Sequence, residues 1–336
     1  MKLLITGGAG FIGSNFIRYM IRKYPHYQIV NLDNLTYAGN PDNLEDVKNH
    51  SNYYFIKGDI SDSQLIDSVL SGQAGNRMDD PVDIVINFAA ESHVDRSILH
   101  PDRFVRSNIC GTQVLLDLAL KYNLKKFIQI STDEVYGSIG QLGYFTEETP
   151  LAPNSPYSAS KAGADLLVRA YNKTYDLPTN ITRCSNNYGP YQFPEKLIPL
   201  VITHAIQDKE LPVYGDGLHV RDWLHVEDHC SAIDSVLHRG KPGDVYNIGG
   251  NNEWTNIEIV KKILRILGKP DSLIQFVKDR PGHDRRYAID STKIQRELNW
   301  VPRHSFEEGI EQTVLWYLNN QEWWKRILSG EFRRSL

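Results

Sequence analysis

The chain has 336 residues, of which 41% are hydrophobic, so it can build one large α/β unit or two domains around a substantial core. The formal net charge of -4 and the mixed 23% of charged residues provide neither a basic surface for nucleic acid nor an acidic tail. The three cysteines are widely spaced and lack a CxxC motif, which is typical of reduced thiols, and no apolar run is long enough for a signal peptide or a membrane span. We therefore expect a cytoplasmic globular protein with no nucleic-acid or membrane partner.

Short β-type runs alternate with longer helical patterns in the first half of the chain, as a doubly wound parallel sheet requires. Strands are predicted at Leu3–Thr6, Gln28–Leu32, Tyr53–Ile56, Ile84–Phe88, Phe127–Ser131 and Thr179–Arg183. Helices are predicted at Phe11–Tyr24, Gln64–Leu70, Arg103–Tyr122 and Tyr157–Tyr175. Beyond about Ser185 the alternation stops, prolines interrupt shorter segments, and helices are predicted at Asn256–Leu267 and Ser305–Leu318.

This pattern predicts an α/β protein in two parts. A Rossmann-type domain with a doubly wound parallel sheet would cover residues 1–184 and carry the cofactor-binding and catalytic residues. A smaller C-terminal domain, residues 185–336, would mainly bind the substrate. No internal repeat or low-complexity linker separates the two parts, so we expect them to pack closely, with segments able to exchange between them.

A glycine-rich turn is predicted between the first strand and the first helix. Gly7, Gly10 and Gly13 have the spacing G-x-x-G-x-x-G, which lets backbone N–H groups and a helix N-terminus meet a pyrophosphate. Asp33 follows the second strand, where a carboxylate would accept hydrogen bonds from both ribose hydroxyls of an adenosine and repel a 2′-phosphate. The sequence therefore predicts a dinucleotide site that favours NAD over NADP. Asp59, Ala89 and Ala90 follow later strands at the same sheet edge.

A second group of residues carries the chemistry. Tyr157 and Lys161 are one helical turn apart, so both can enter one site, where a nearby ammonium and a cationic nicotinamide would favour the tyrosinate needed as a base. Thr132, Asp133 and Glu134 follow the fifth strand, next to the expected nicotinamide. Because ionising both neighbouring carboxyls in a closed pocket is costly, one can remove a proton while the other donates one.

Several motifs together resemble those of the extended short-chain dehydrogenase/reductases. Within the nucleotide-sugar branch of that family the resemblance is strongest to the 4,6-dehydratases of dTDP-glucose, and it extends nearly end to end. The motifs that carry it lie at Gly7–Gly13, Asp33–Gly39, Ala89–Ser97, Ser131–Gly137, Tyr157–Lys161, Asn186–Pro190, Arg221–Trp223 and Asp279–His283.

The resemblance implies a cycle in which the redox change is internal. Tyr157 would take the proton of the sugar 4-hydroxyl while a hydride leaves C4 for NAD+, with Thr132 hydrogen-bonded to the same oxygen. Glu134 would then remove the C5 proton and Asp133 would protonate the departing 6-hydroxyl. The return of the hydride to C6 and of a proton to C5 would give dTDP-4-keto-6-deoxy-D-glucose for deoxysugar (rhamnose) biosynthesis. NAD+ would thus be tightly bound and regenerated in each cycle.

The resemblance also implies the residues that bind the two ligands, and it implies a homodimer. For NAD+ it implies Gly7, Gly10, Phe11, Ile12, Gly13, Asp33, Asn34, Leu35, Thr36, Asp59, Ile60, Ala89, Ala90, Ser107, Tyr157, Lys161 and Asn187. For the substrate it implies Ser92, Thr132, Asn186, Lys196, Leu197, Pro212, Tyr214, Arg221, Asn256, Arg280 and His283. Arg221 is the best candidate for the diphosphate, because its guanidinium suits bidentate contact. The helices at Arg103–Tyr122 and Tyr157–Tyr175 would pair with their copies in a four-helix bundle.

Other functions remain open at this point. A 4,6-dehydratase or a 4-epimerase of another nucleotide sugar, such as UDP-glucose, would share the fold, although the epimerases lack the Asp133–Glu134 pair. A non-catalytic NAD-binding scaffold is the alternative from a different class. No metal is expected, because His225 and His229, with His219 nearby, lack the H-E-x-x-H order.

Overall fold

A seven-stranded parallel sheet forms the centre of the protein. The computed structural model describes residues 1–74, 80–279 and 281–333, and the backbone of 334 and 335. The sheet contains β1 (Lys2–Thr6), β2 (Gln28–Asp33), β3 (Tyr53–Lys57), β4 (Ile84–Asn87), β5 (Lys126–Thr132), β6 (Thr179–Cys184) and β10 (Val245–Ile248), in the order β10-β6-β5-β4-β1-β2-β3. The strand order reverses direction between β1 and β4, so a ligand crevice is expected at their carboxyl ends.

Helices cover both faces of this sheet. The α-helices of the described residues, on this sheet and in the second half of the chain, are α1 (Phe11–Lys23), α2 (Ser63–Leu70), α3 (Val94–Leu99), α4 (Pro101–Phe104), α5 (Gly111–Lys121), α6 (Pro156–Tyr175), α7 (Leu197–Ile206), α8 (Val226–Arg239), α9 (Asn256–Leu267), α10 (Thr292–Leu298), α11 (Phe306–Asn319) and α12 (Gln321–Leu328). Alternate residues of β1 serve the two faces, since Leu3 and Ile5 belong to one apolar cluster and Leu4 to the other. The predicted strands and helices agree with the structure to within two residues at each end. The predicted helix Arg103–Tyr122 is interrupted by a π-helical turn at Val105–Cys110, between α4 and α5.

The second half of the chain forms smaller sheets around its own core. β7 (Asn186–Tyr188), β9 (Val220–His225) and β11 (Glu253–Thr255) make a three-stranded sheet, and β8 (Leu211–Tyr214) pairs with β12 (Ile274–Val277). A third apolar cluster joins these strands to helices α7, α9 and α11.

One strand of the second half belongs to the large sheet. β10 runs parallel to β6, with Val245 opposite Ile181. A boundary at residue 184 therefore leaves one strand of the large sheet in the second part of the chain. The predicted domain boundary stays a prediction. Within the described residues, no helix is both long enough and apolar enough to cross a bilayer.

Candidate active site

The glycine turn follows β1 and packs too closely for side chains. Gly7 has a φ of 69°, and a Cβ at Gly13 would lie 2.4 Å from the carbonyl oxygen of Gly7. Gly10 precedes α1, and no side chain caps the first turn of this helix. Its first backbone N–H groups are therefore available to an anion, and their dipoles favour negative charge.

Asp33 is fixed by the backbone at the end of β2. Its Oδ2 accepts a hydrogen bond from the N–H of Ala9 over 2.9 Å, and its Oδ1 accepts one from the N–H of Leu35 over 2.8 Å. Burial raises the pKa of Asp33, while the two backbone donors act in the opposite direction. Each oxygen keeps a second lone pair, so the carboxylate can still accept hydrogen bonds from a ribose.

A large cavity opens at the carboxyl ends of the parallel strands, with a volume of about 990 Å³. All of the residues predicted to bind NAD line it, as do the predicted catalytic residues. Of the predicted substrate residues, Ser92, Thr132, Asn186 and Lys196 line it as well. The fold thus brings together in one space residues from nearly the whole of the first half of the chain.

Tyr157 and Lys161 are placed by the start of α6. Ser155 and Ser158 form a capping box there, and Pro156 occupies the first helical position, so the helix begins at a defined residue. The buried Lys161 donates from Nζ to the carbonyl oxygen of Ile130 in β5 over 2.6 Å. This bond holds the first turns of α6 against the strand that carries the carboxyls.

The two carboxyls lie in a short 3₁₀ turn, Asp133–Tyr136, that directly follows β5. Thr132 caps this turn, because its Oγ1 accepts a hydrogen bond from the N–H of Glu134 over 3.3 Å. Asp133 is buried, and its Oδ2 has no hydrogen-bond partner among the described residues. Glu134 is half-buried and lines the cavity.

Burial and charge push these groups toward neutral forms. Burial raises the pKa of Asp133 well above its usual range, and the charge of Glu134 adds to the effect. Burial and the charge of Glu134 also raise the pKa of Tyr157, while burial lowers the pKa of Lys161. The protein groups thus oppose the lowering of the Tyr157 pKa that the sequence predicts from Lys161.

The other predicted substrate residues that the structure describes lie outside the lining of the cavity. Arg221 donates from Nη2 to the carbonyl oxygen of Asp284 over 2.8 Å, and its guanidinium lies 4.3 Å from the centre of the Tyr287 ring. His283 stacks on His219, with ring centroids 3.7 Å apart. Leu197 begins α7, Pro212 and Tyr214 lie in β8, and Asn256 begins α9. Arg280 lies outside the described residues, so its predicted role stays a prediction.

Comparison with known proteins identifies the family. The family model described as GDP-mannose 4,6 dehydratase matches residues 4–313, which is most of the chain. The chain belongs to this GDP-mannose 4,6-dehydratase family.

Relatives in the same group share its length and fold. The dTDP-glucose 4,6-dehydratase of Xanthomonas campestris pv. campestris (strain B100) is 51% identical over 348 residues, covering 98% of this chain and 97% of the relative. The crystal structure of dTDP-glucose 4,6-dehydratase from Bacillus anthracis str. Ames in complex with NAD has a TM-score of 0.90 at 55% identity, over 97% of this chain and 99% of that chain. The enzyme of the same name from Streptomyces venezuelae, also with NAD bound, has a TM-score of 0.93 at 49% identity, over 97% and 100%. The resemblance predicted from the motifs is confirmed.

The cavity of this family member also contains residues that the sequence analysis did not predict. They include Tyr37, Arg96, Arg103, Arg106, Cys184, Gln192, Phe193, Glu195 and Arg333. Arg96 illustrates why they were missed. Its guanidinium lies 4.0 Å from the centre of the Tyr37 ring and 3.6 Å from a carboxylate oxygen of Glu195, and these partners come from two distant loops. No local spacing in the sequence predicts such a contact.

Three histidines that are close in sequence, His219, His225 and His229, have different partners in the structure. His219 and His283 both contact the carboxylate of Asp279, and these three have potential ligand atoms within 4.8 Å of one another. His225 forms a second such group with Glu227 and His304. His229 instead contacts the Oδ1 of Asn187 through its Nδ1 over 2.8 Å. His219, His225 and His229 therefore lie in three separate environments.

Proposed function

We propose that this chain is an NAD+-dependent dTDP-glucose 4,6-dehydratase, a hydro-lyase that forms dTDP-4-keto-6-deoxy-D-glucose. The placement of Thr132, Asp133 and Glu134 beside Tyr157 and Lys161, in one cavity with the glycine turn, carries this proposal. The names of relatives about half identical to the chain, such as that of Xanthomonas campestris, support the substrate. Supply of the product to rhamnose biosynthesis belongs to the same proposal.

The residues around the glycine turn fit a dinucleotide. The uncapped start of α1 suits its diphosphate, and Asp33 suits the adenosine ribose. A side chain at Gly7 or Gly13 would clash with the protein backbone and distort this turn, since a Cβ at Gly7 would lie 2.6 Å from the backbone nitrogen of Ala89. When bound, NAD+ supplies a reversible hydride acceptor, so a full cycle needs no other oxidant.

The side chains of the site remove and donate the protons of the reaction. Tyr157 removes the proton of the 4-hydroxyl during oxidation at C4, and Thr132 hydrogen-bonds to the same oxygen. The resulting ketone acidifies the C5 proton, which Glu134 removes. Asp133 protonates the 6-hydroxyl as it leaves, and this role needs the neutral acid that burial and Glu134 favour. Burial and the charge of Glu134 raise the pKa of Tyr157. When bound, the oxidised nicotinamide would supply a positive charge that favours the tyrosinate, so that the phenol can act as a base.

Incubation with dTDP-glucose and, separately, with UDP-glucose tests this proposal. We expect a product that has lost one water from dTDP-glucose by mass spectrometry, with no net NADH absorbance. A preference of about tenfold over UDP-glucose is expected, because the two bases differ by one methyl group. Isomerisation without a mass change would instead indicate a 4-epimerase, and NAD+ binding without turnover of any nucleotide sugar would indicate a scaffold.

We also propose a homodimer through α4–α5 and α6. Val105 and Leu166 expose 48% and 56% of their surface on these adjacent helices, although both are large apolar residues. Ile109 packs at the close approach of the two helices, where a Cβ at Gly163 would lie 3.0 Å from its Cδ1. Two such helices and their copies would bury this apolar surface in a four-helix bundle.

Leu166→Glu tests the dimer. A charge placed in an apolar interface is costly to bury, so we expect the variant to elute as a monomer while the unsubstituted chain elutes as a dimer. Light scattering after size-exclusion chromatography measures both. Leu142→Glu is the matched control, because Leu142 is 88% exposed in a loop outside these helices. If Leu166→Glu leaves the molar mass unchanged, this interface is wrong.

A further inference from the structure

Helix α12 contacts the part of the molecule that carries the predicted dinucleotide site. Trp323 on α12 donates from Nε1 to the Oδ1 of Asn43 over 2.9 Å, and Arg326 pairs with Asp42 at 2.9 Å. Asn43 in turn donates from Nδ2 to the carbonyl oxygen of Ala9, inside the glycine turn, over 2.9 Å. The end of the chain is therefore held by the loop that supports the predicted dinucleotide site.

The residues after α12 form part of the cavity wall. Gly330 turns the chain with a φ of 75°, and Phe332 is buried with 2% of its surface exposed. The ring of Phe332 contacts that of Phe193 edge-on, with centroids 6.2 Å apart, and Phe193 contacts Tyr37 in the same way at 5.9 Å. Phe193 and Tyr37 line the cavity, and so does Arg333, the residue that follows Phe332.

The surroundings of Arg333 differ from those of two other cations of the cavity, Arg96 and Lys161. Arg96 already contacts Glu195, and Lys161 donates to the carbonyl oxygen of Ile130. The exposed guanidinium of Arg333 has no ion pair with any side chain in the described part of the chain, and its ring contact is with the neighbouring Phe332 at 5.6 Å. An arginine placed in this way can offer its donors to an anionic ligand.

We propose that Arg333 is a further ligand-binding residue, which the C-terminal tail supplies to the cavity to contact a diphosphate. This inference rests on the proposed function, because NAD+ and dTDP-glucose both carry a diphosphate and would share this cavity. Phe332 and the contacts of α12 act as the anchor that keeps the arginine at the wall. The diphosphate belongs either to the dinucleotide or to the nucleotide sugar, and separate binding measurements distinguish the two.

Arg333→Gln in the full chain tests this proposal, with Lys325→Gln as the matched control. Lys325 is exposed on α12 and does not line the cavity, so its substitution removes the same charge from the same segment without touching the site. Affinities for NAD+ and for dTDP are measured separately by calorimetry, after bound nucleotide has been removed. We expect Arg333→Gln to weaken the binding of one of the two ligands by about three- to tenfold. The loss of affinity should be smaller at high salt, because salt screens a contact that is partly exposed.

The outcomes show which ligand supplies the diphosphate, and they test the role of Arg333 separately from the proposed function. Weaker NAD+ alone assigns the contact to the dinucleotide, and weaker dTDP alone assigns it to the nucleotide sugar. Phe332→Ala, which removes the anchor, should weaken the same ligand. Unchanged affinities in Arg333→Gln, or equal losses in Lys325→Gln, overturn the role of Arg333 while leaving the proposed function intact. Failure of the unsubstituted chain to bind either ligand overturns both.

Discussion

Tyr157→Phe should lower kcat for dTDP-glucose dehydration by about 10²- to 10⁴-fold, the usual contribution of a general base. The substitution removes only the phenolic oxygen that takes the 4-hydroxyl proton, and the ring keeps its edge-on contact with Phe104, whose centroid lies 6.3 Å away. We therefore expect NAD+ binding and the thermal midpoint to change little. The loss should appear in the first oxidation step, so no NADH should form even in a single turnover.

Stopped-flow absorbance of NADH and mass spectrometry of the sugar measure this prediction. Tyr144→Phe is the matched control, because Tyr144 is 58% exposed and does not line the cavity. A Tyr157→Phe variant that keeps its activity would show that another group is the base at the 4-hydroxyl.

Asp133→Asn should separate oxidation from elimination. The amide has nearly the same shape but cannot serve as the acid that protonates the departing 6-hydroxyl, so we expect kcat to fall by about 10²- to 10⁴-fold. Oxidation at C4 does not need this group, so NADH should accumulate transiently when the variant meets dTDP-glucose. Since burial already favours the neutral acid at this position, a neutral amide should cost little free energy of unfolding.

The pH dependence gives a second measurement on the same variant. The pKa of Asp133 is raised, so the active protonated form is present at low pH and is lost as the pH rises through that pKa. This predicts a fall in kcat on the alkaline side that disappears in Asp133→Asn. Glu311→Gln, on the exposed side of α11, is the control. If Asp133→Asn forms product at the full rate, Asp133 is not the acid.

Much of the fold and the dinucleotide turn could be predicted because their signals are local. The strands of the first half are short apolar runs, and the glycines of the turn lie between the end of a strand and the first turn of the helix that follows it. The capped start of α6 likewise fixes Tyr157 and Lys161 on one helix. Such features depend on neighbouring residues, so the sequence alone contains the information.

The strands of the second half were not predicted, because their pairing is not local. β10 joins the large sheet beside β6, although the 60 residues 185–244 lie between these two strands. β7 and β11 have only three residues each, and in β9 the order VRDWLH does not alternate apolar and polar side chains. Their register is set by contacts across the fold, which a pattern along the chain cannot report.

The fold class, the family motifs and the residue types that can perform the chemistry follow from the amino-acid order alone, because local patterns and spacing encode them. Tertiary structure decided the electrostatic state of these residues, since the pKa of Tyr157 depends on its burial and on Glu134. It also decided that Arg221 lies among main-chain oxygens outside the cavity lining and that Arg333 lies at the cavity wall. Burial and long-range contacts exist only after the chain has folded, and they set both the charge and the position of a side chain.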